Sequence, residues 1–312
     1  MDEKKLISVV TPTYNEELNV EELYNQTKAV FAGLPQYNYE HIFIDNASKD
    51  KTVGILKNIA VKDKNVKIIV NSKNFGHIRS PYHGLLQARG QAIILLVADL
   101  QDPPQLINDF LKKWEEGYSI VVGVKNKSEE NPLMFAVRKL YYYLINKFSE
   151  VEQIKNFTGF GLYDQKFIEI LRTIDDPYPY LRGMVTELGW NRFEVPYVQP
   201  SRKKGKTSNN FYSLYDVAML GFVNHSKIPL RLASFIGFGM SVISFVIGII
   251  YFTFKLLYWD RFQTGLAPLI IGIFLFSSVQ LFFIGILGEY ISAIYTQVRH
   301  RPLLIEKERI NF

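Results

Sequence analysis

Two long runs without charged residues dominate the C-terminal third of the chain. No Asp, Glu, Lys or Arg occurs from Leu232 to Phe254, a run of 23 residues, or from Phe262 to Gly288, a run of 27. A helix needs roughly 20 apolar residues to cross about 30 Å of hydrocarbon, and helices of soluble proteins rarely stay uncharged on every face for so long. The runs therefore predict a transmembrane helical hairpin, with a pair of buried core helices as the alternative.

Basic residues flank the outer ends of this hairpin. Lys227 and Arg231 precede the first run, and Arg299 and Arg301 follow the second. The positive-inside rule then predicts that both outer ends, and the region N-terminal to them, lie in the cytoplasm. The apolar and aromatic residues from Phe211 to His225 recur at roughly helical spacing, which favours an interfacial helix on the bilayer; the alternative is an ordinary helix packed on the soluble domain.

These patterns predict four regions along the chain. In order they are a soluble domain at 1–209, an interfacial amphipathic helix at 210–229, two transmembrane helices at 230–298 and a cytoplasmic tail at 299–312.

The soluble region alternates short apolar runs with amphipathic stretches from Leu6 to Val124. This alternation predicts a doubly wound, mainly parallel α/β sheet. Ligands of such sheets bind beyond the carboxyl ends of the strands. Polar segments follow the first four predicted strands, and we call them rim loops 1 to 4: 12–16, 45–50, 71–76 and 99–102.

Each rim loop taken singly could be a turn or a helix cap. Their joint placement at one edge of the sheet favours a binding site. The chain has no cysteine, which excludes disulfides, thiolate metal sites and a cysteine nucleophile. It also has neither G-x-G-x-x-G after the first strand nor G-x-x-x-x-G-K-[ST], so neither a dinucleotide cofactor nor a P-loop nucleotide is indicated.

The rim loops carry a family resemblance. The segments VVTPTYNE, IDNAS, NSKNFGH and VADLQDPP resemble the nucleotide-sugar-binding half of family 2 glycosyltransferases with the GT-A fold. The later RGMVTELGW at 182–190, the R-x-x-G-x-T at 202–207 and the two apolar runs resemble the polyprenyl-phosphate branch of that family. This branch includes dolichyl-phosphate mannose synthase and the bactoprenol glucosyltransferases.

The resemblance implies roles for individual residues. Asp99 is expected to be catalytic and, with Gln101, to hold Mg²⁺ or Mn²⁺, for which oxygen ligands are suitable. The residues expected to bind the nucleotide-sugar are Pro12, Tyr14, Glu16, Asp45, Asn46, Lys73 and Asp99. The residues expected to bind the lipid phosphate are Arg202, Lys203, Lys204 and Lys206; attraction to anionic headgroups alone is the alternative for this basic cluster.

The chain departs from the family pattern at several positions. Asn46 and Ala47 stand where relatives have a second aspartate and a glycine, and Val97 replaces the first aspartate of D-A-D-L-Q. Gly159 and Gly161 stand where many relatives have an acidic residue and an arginine.

The predicted function is transfer of one sugar from a nucleotide donor, expected to be a UDP-sugar such as UDP-glucose, to undecaprenyl or another polyprenyl phosphate. The expected location is the cytoplasmic face of a bacterial plasma membrane. A non-catalytic membrane-tethered nucleotide-sugar binder and a processive polysaccharide synthase are the alternatives. The chain lacks the Q-x-x-R-W motif of processive synthases. No nucleic-acid partner is expected, and a homo-oligomer is left open.

Overall fold

The computed structural model describes residues 4–127, 154–200, 228–258, 266–299 and 301–312. The basic cluster at 202–206 and residues 210–227 of the expected interfacial helix lie outside the described residues. Both therefore stay predictions.

The N-terminal half alternates strands and helices as the sequence predicts. Helix α1 shows why: its buried residues Val20, Leu23, Thr27 and Phe31 recur at helical spacing and form one apolar face. The elements are β1 Lys5–Thr13, α1 Val20–Ala32, β2 Tyr37–Asp45, α2 Thr52–Lys62, β3 Val66–Asn71, α3 Gly76–Gln87, β4 Ala92–Leu95, a 3₁₀ turn Pro104–Leu106, α4 Ile107–Glu115 and β5 Ile120–Lys127.

The C-terminal half adds three strands and four helices among the described residues. They are β6 Phe157–Asp164, α5 Gln165–Thr173, α6 Leu181–Glu187, β7 Arg192–Val198, α7 Ile228–Leu257, α8 Leu266–Val298 and β8 Glu306–Ile310.

The strands of the described residues form an eight-stranded sheet in the order β7-β5-β6-β4-β1-β2-β3-β8. β1 to β4 pair in parallel, and β7 pairs in parallel with β5. β6 runs antiparallel between β4 and β5, and β8 runs antiparallel along β3. All strands except β6 and β8 therefore point the same way, which confirms the mainly parallel sheet; the insertion of β6 is a feature that the alternating pattern does not predict.

Helices cover both faces of the sheet. Leu23 of α1 and Leu56 of α2 belong to one apolar cluster, and Leu85 of α3 and Phe167 of α5 belong to the other. The central strands are thus buried on both sides, which explains why they are continuous apolar runs rather than alternating ones.

The two uncharged runs form long helices. Ala233–Phe254 in α7 has a mean hydropathy of 2.2 and Gly272–Val298 in α8 one of 1.7, and both are long and apolar enough to cross a membrane. Neither stretch is buried within the protein. The alternative of buried core helices is therefore wrong.

Residues 301–312, which lie in the predicted cytoplasmic tail, contain a strand of the sheet. Glu306–Ile310 is strand β8, which adds to the free edge of β3. Leu304, just before it, is only 7% exposed and belongs to the apolar cluster on the α3 face. The chain therefore returns from α8 to the sheet, and both outer ends of the hairpin connect to the same domain.

Candidate active site

The four rim loops share one edge of the sheet, because β4, β1, β2 and β3 are parallel neighbours in that order. Three of these loops hold a non-glycine residue in the left-handed region, with φ values of 55° at Asn15, 63° at Ala47 and 59° at Leu100. This conformation costs residues with a Cβ atom about 1 kcal/mol or more. Such strain clusters at functional sites, and three of the five non-glycine residues with positive φ among the described residues lie at the predicted edge; the other two are Asn156 and Asn311.

Asp45 ends β2 and is fully buried. Thr13 Oγ1 donates to its Oδ1 at 3.2 Å, while Ser48 donates from N to Oδ2 at 2.8 Å and from Oγ to Oδ1 at 2.5 Å. Burial raises the pKa of Asp45, and the bonds from Ser48 and Thr13 partly offset this rise. The carboxylate therefore orders rim loop 2 and places an acceptor between rim loops 1 and 2.

Several hydrogen bonds that involve the backbone join rim loop 1 and Glu17 to rim loop 2 and Thr52. The amide of Asn15 donates to Ser48 Oγ at 2.9 Å, and Asn15 Oδ1 accepts from the amide of Lys49 at 2.8 Å. The amide of Glu16 donates to Thr52 Oγ1 at 2.9 Å, and that of Glu17 to an Asp50 oxygen at 3.1 Å. These hydrogen bonds hold rim loop 1 in place. Its predicted binding residues are all half-buried; they are Pro12, Tyr14 and Glu16.

Asn46 connects rim loop 2 to rim loop 3. Its Nδ2 donates to Asn74 Oδ1 at 2.9 Å and to the Gly76 carbonyl at 3.0 Å. Its Oδ1 accepts from Asn71 Nδ2 at 3.2 Å and from the Phe75 amide at 2.8 Å. All hydrogen-bonding positions of this carboxamide are thus filled by the protein, so its side chain shapes rim loop 3.

Lys73 lies on the exposed side of rim loop 3. Its ammonium sits 5.2 Å from the centre of the Phe75 ring, a distance typical of a cation–π contact. The backbone that carries Lys73 is the one that Asn46 holds, so the position of this cation depends on the Asn46 network.

Asp99 and Gln101 lie in rim loop 4, next to rim loop 1. Asp99 Oδ1 accepts from the Gln101 amide at 3.1 Å, and this turn contains the left-handed Leu100. Asp99 is half-buried. Adjacent strands lie about 4.8 Å apart, so the end of β4 is roughly 10 Å from the end of β2, across β1.

Asp102 and Tyr197 form a buried pair that the sequence analysis does not include among the site residues. Asp102 is 2% exposed and Tyr197 6%, and the Tyr197 hydroxyl donates to Asp102 Oδ1 at 2.5 Å. Burial raises the pKa of Asp102 to about 6, against the lowering effects of Tyr197 and Lys125, and the charge of Asp99 raises it further. The end of β7 is therefore fastened to rim loop 4.

The sequence alone offers only a weak signal for this pair. Asp102 precedes two prolines at a helix start, which is sufficient to explain its presence. Tyr197 occupies an inward position of a strand, as many core aromatics do.

Comparison with known proteins identifies the family. Residues 8–172, from the buried part of β1 to the end of α5, match the family described as Glycosyl transferase family 2. The chain belongs to glycosyltransferase family 2.

Relatives in this family match over nearly the whole chain. An uncharacterized glycosyltransferase of Bacillus subtilis, YkcC, is 36% identical over 96% of this chain and 92% of its own. The bactoprenol glucosyl transferase of Shigella phage SfV is 32% identical over 96% of this chain and 98% of its own. The chain is thus a glycosyltransferase, and its matches extend through the two apolar helices.

A solved structure supports the fold. Mannosyl-3-phosphoglycerate synthase from Rubrobacter xylanophilus superposes with a TM-score of 0.50 and 16% identity, covering 69% of this chain and 71% of the other. At this identity the likeness supports the GT-A fold and nothing finer.

Two departures from the family 2 pattern have a structural reason here. A carboxylate at position 46 would face two acceptors, Asn74 Oδ1 and the Gly76 carbonyl, so asparagine is required by this network. A Cβ atom at Gly161 would lie 2.6 Å from the Val121 carbonyl oxygen, which excludes the arginine of many relatives unless the strands shift. We found no structural account for Val97.

The donor atoms in rim loop 4 suit a hard divalent cation. Among the described residues, no group of three or more His, Cys, Asp or Glu side chains is arranged to hold a metal ion. Asp99 Oδ2 and the Gln101 carboxamide make no hydrogen bond within the described parts of the chain. They supply oxygen ligands of the type that Mg²⁺ and Mn²⁺ take, and further ligands would come from a diphosphate and water.

Proposed function

We propose that this family 2 glycosyltransferase transfers one sugar from a UDP-sugar, such as UDP-glucose, to a polyprenyl phosphate. In a bacterium the acceptor would be undecaprenyl phosphate at the cytoplasmic face of the plasma membrane. The observation that carries the proposal is the pair of long apolar helices, the second of which is followed by strand β8 of the same sheet that carries the rim loops.

Two further findings support it. The relative from phage SfV is named a bactoprenol glucosyl transferase, and the alignment covers 98% of its length. A polyprenyl chain also cannot leave the bilayer during catalysis, because moving dozens of CH₂ groups into water would cost about 0.8 kcal/mol each. The catalytic domain must therefore work against the membrane surface.

The acceptor makes a general base unnecessary. A phosphate monoester with a second pKa near 6 is largely dianionic at pH 7. In the proposed step a phosphate oxygen attacks the anomeric carbon, the bond from that carbon to the donor diphosphate breaks, and the electron pair leaves with the nucleoside diphosphate. No proton must be removed, so Gly159 can stand where relatives have an acidic residue.

The protein residues then serve binding and charge compensation. Rim loop 1 would accept hydrogen bonds from the nucleoside, held in place by the buried Asp45, and Lys73 would face its phosphates. Asp99 and Gln101 would hold Mg²⁺ or Mn²⁺, which when bound supplies positive charge to the departing diphosphate. The fixed rim loops would hold donor and acceptor in line.

The lipid phosphate would bind the basic cluster. Arg202 follows Val198, the end of β7, by four residues, a reach of at most roughly 14 Å. Tyr197 of β7 bonds to Asp102 of rim loop 4, and the proposal therefore assigns the cluster that follows β7 to the lipid phosphate.

One experiment tests the proposal. The purified protein is incubated with undecaprenyl phosphate, Mg²⁺ or Mn²⁺ and a panel of UDP- and GDP-sugars, and the lipid product is identified by mass spectrometry. We expect a single hexosyl phospholipid from a UDP-sugar. Charge reversal at Arg202 and Lys206 should raise the apparent KM for the lipid much more than that for the donor. Absence of any glycosylated lipid across the panel would contradict the proposal.

A further inference from the structure

Strand β8 joins the sheet beside rim loop 3. Asn71 pairs with Glu306, and the Ser72 amide donates to the Ile305 carbonyl at 2.9 Å. Ile305 lies only seven positions after Val298, the end of α8. The chain that leaves the second apolar helix therefore makes a backbone hydrogen bond to the first residues of rim loop 3.

Side chains extend this contact. Leu304 is buried in the apolar cluster on the α3 face, and Leu303 and Phe75 pack against the same cluster. Phe75 belongs to rim loop 3, and its amide donates to Asn46 Oδ1. Residues 303–305, which follow α8 along the chain, thus contact rim loop 3 through the Ser72 amide and share an apolar cluster with Phe75 of that loop.

A β-bulge directs Glu306 toward α3. Val70 pairs with Glu308 and Asn71 with Glu306, so Lys307 is the extra residue on β8. An extra residue reverses the alternation of side chains on its strand. As a result Glu306 and Glu308 point to opposite faces of the sheet.

The two glutamates have different partners. Glu306 Oε1 lies 2.5 Å from His83 Nε2 of α3 and accepts from Arg309 Nη2 at 2.7 Å. Its side chain is 19% exposed. Glu308 pairs with Lys57 of α2 at 2.6 Å, and both side chains are 41% exposed. Glu306 thus ties β8 to the helix that follows rim loop 3, whereas Glu308 ties it to the opposite layer.

We propose that the segment Leu303–Glu306 positions rim loop 3, the proposed donor-binding loop. Glu306 and Leu304 are the positioning residues; neither contacts the donor. The proposal rests on the proposed function only in taking rim loop 3 as part of a nucleotide site.

The test compares matched variants of the full chain in lipid nanodiscs. Leu304→Ala and Glu306→Ala remove the positioning contacts, Glu306→Gln keeps hydrogen-bond acceptance, and Glu308→Ala removes an ion pair of the same strand on the other face. Two quantities are measured: hydrogen exchange of the amides at 72–76, and UDP binding by calorimetry with Mn²⁺ present.

We expect faster exchange at 72–76 and about fivefold weaker UDP binding for both Leu304→Ala, which removes apolar packing, and Glu306→Ala, which removes hydrogen bonds. Glu306→Gln and Glu308→Ala should stay close to the wild type in both measurements. A merely structural role of β8 would alter Glu306→Ala and Glu308→Ala equally, and this would overturn the proposal.

Unchanged exchange at 72–76 in Leu304→Ala and Glu306→Ala would also overturn it. Failure of the proposed function is a separate outcome, because it would appear as absence of lipid product or of UDP binding in the wild type. The exchange measurement would still decide whether residues 303–306 hold the loop.

Discussion

The two edge strands of the sheet connect to the hairpin, but they are fastened to the active site in different ways. β7, the exit edge, ends in a buried tyrosine whose hydroxyl donates to a buried carboxylate of rim loop 4. β8, the return edge, is half-exposed and is held by main-chain pairing and partly exposed ion pairs on both faces. A buried hydrogen bond to a charged group contributes more than an exposed ion pair. We therefore expect loss of the Tyr197–Asp102 bond at the exit edge to lower the stability of the fold more than loss of one ion pair at the return edge.

The two edge strands also contact different loops of the candidate site. The exit edge is coupled to the loop with the proposed metal ligands, and the return edge to the loop with the proposed phosphate-binding lysine. The hairpin would then affect metal and donor binding through different strands, and each strand can be tested by itself.

The largest effect is expected from Asp99→Ala. This change removes the principal proposed metal ligand of rim loop 4, and we expect the turnover to fall by at least about 100-fold with an unchanged melting temperature. Val97→Ala, two residues away, is the matched control and should have a far smaller effect. Wild-type turnover of Asp99→Ala, or full activity of the native enzyme in excess EDTA, would remove the reason for coupling the exit edge to this loop.

The dependence of stability on pH tests strand β2, which lies between the two edges of the sheet. His41 of β2 is fully buried, contacts Thr11 Oγ1 at 2.9 Å, and burial lowers its pKa from 6.5 to about 3. Between these values the unfolded chain binds a proton that the folded chain does not, so stability falls as pH drops from 6.5 toward 3. In His41→Gln this contribution is absent, and its melting temperature should fall less steeply over this window. Equal slopes of melting temperature against pH in the two proteins would show that His41 does not cause the loss of stability in acid.

The Tyr197→Phe substitution tests the hydrogen bond that fastens β7, the exit edge, to rim loop 4. It leaves the buried Asp102 without its side-chain donor, which destabilises such a group by about 1 to 3 kcal/mol. Because rim loop 4 would loosen, we expect a roughly fivefold higher Mn²⁺ concentration for half-maximal activity with little change in the donor KM. Tyr82→Phe is the control, since the buried hydroxyl of Tyr82 in α3 donates to the Leu171 carbonyl of α5 at 3.0 Å, away from rim loop 4. Equal effects of both changes would contradict a specific role for β7.

The smallest effect is expected from Ala47→Gly in rim loop 2, away from both edges. Ala47 has a φ of 63°, which a glycine adopts without strain. We expect a gain of about 1 kcal/mol, seen as a rise of roughly 2 to 4 °C in melting temperature, with turnover retained. A lower melting temperature would show that the methyl group of Ala47 contributes packing that outweighs the strain.

Much of this protein follows from local sequence patterns. The uncharged runs determine the two long helices, because length and apolarity are sufficient to specify them. The alternation of apolar and amphipathic segments determines the parallel strands, and parallel neighbours necessarily bring rim loops 1 to 4 to one edge. Asp45 and Asp99 could therefore be placed at the candidate site from their positions after predicted strands.

Only the tertiary structure decided how the ends of the chain are used. β8 has the sequence EKERI, which lacks the apolar pattern of a strand because an exposed edge strand is held by main-chain bonds and charges. The Asp102–Tyr197 pair and the Asn46 network join residues far apart in sequence, and nothing in their local sequence specifies the partner. Such contacts depend on which strands become neighbours, and this is settled only when the whole sheet has formed.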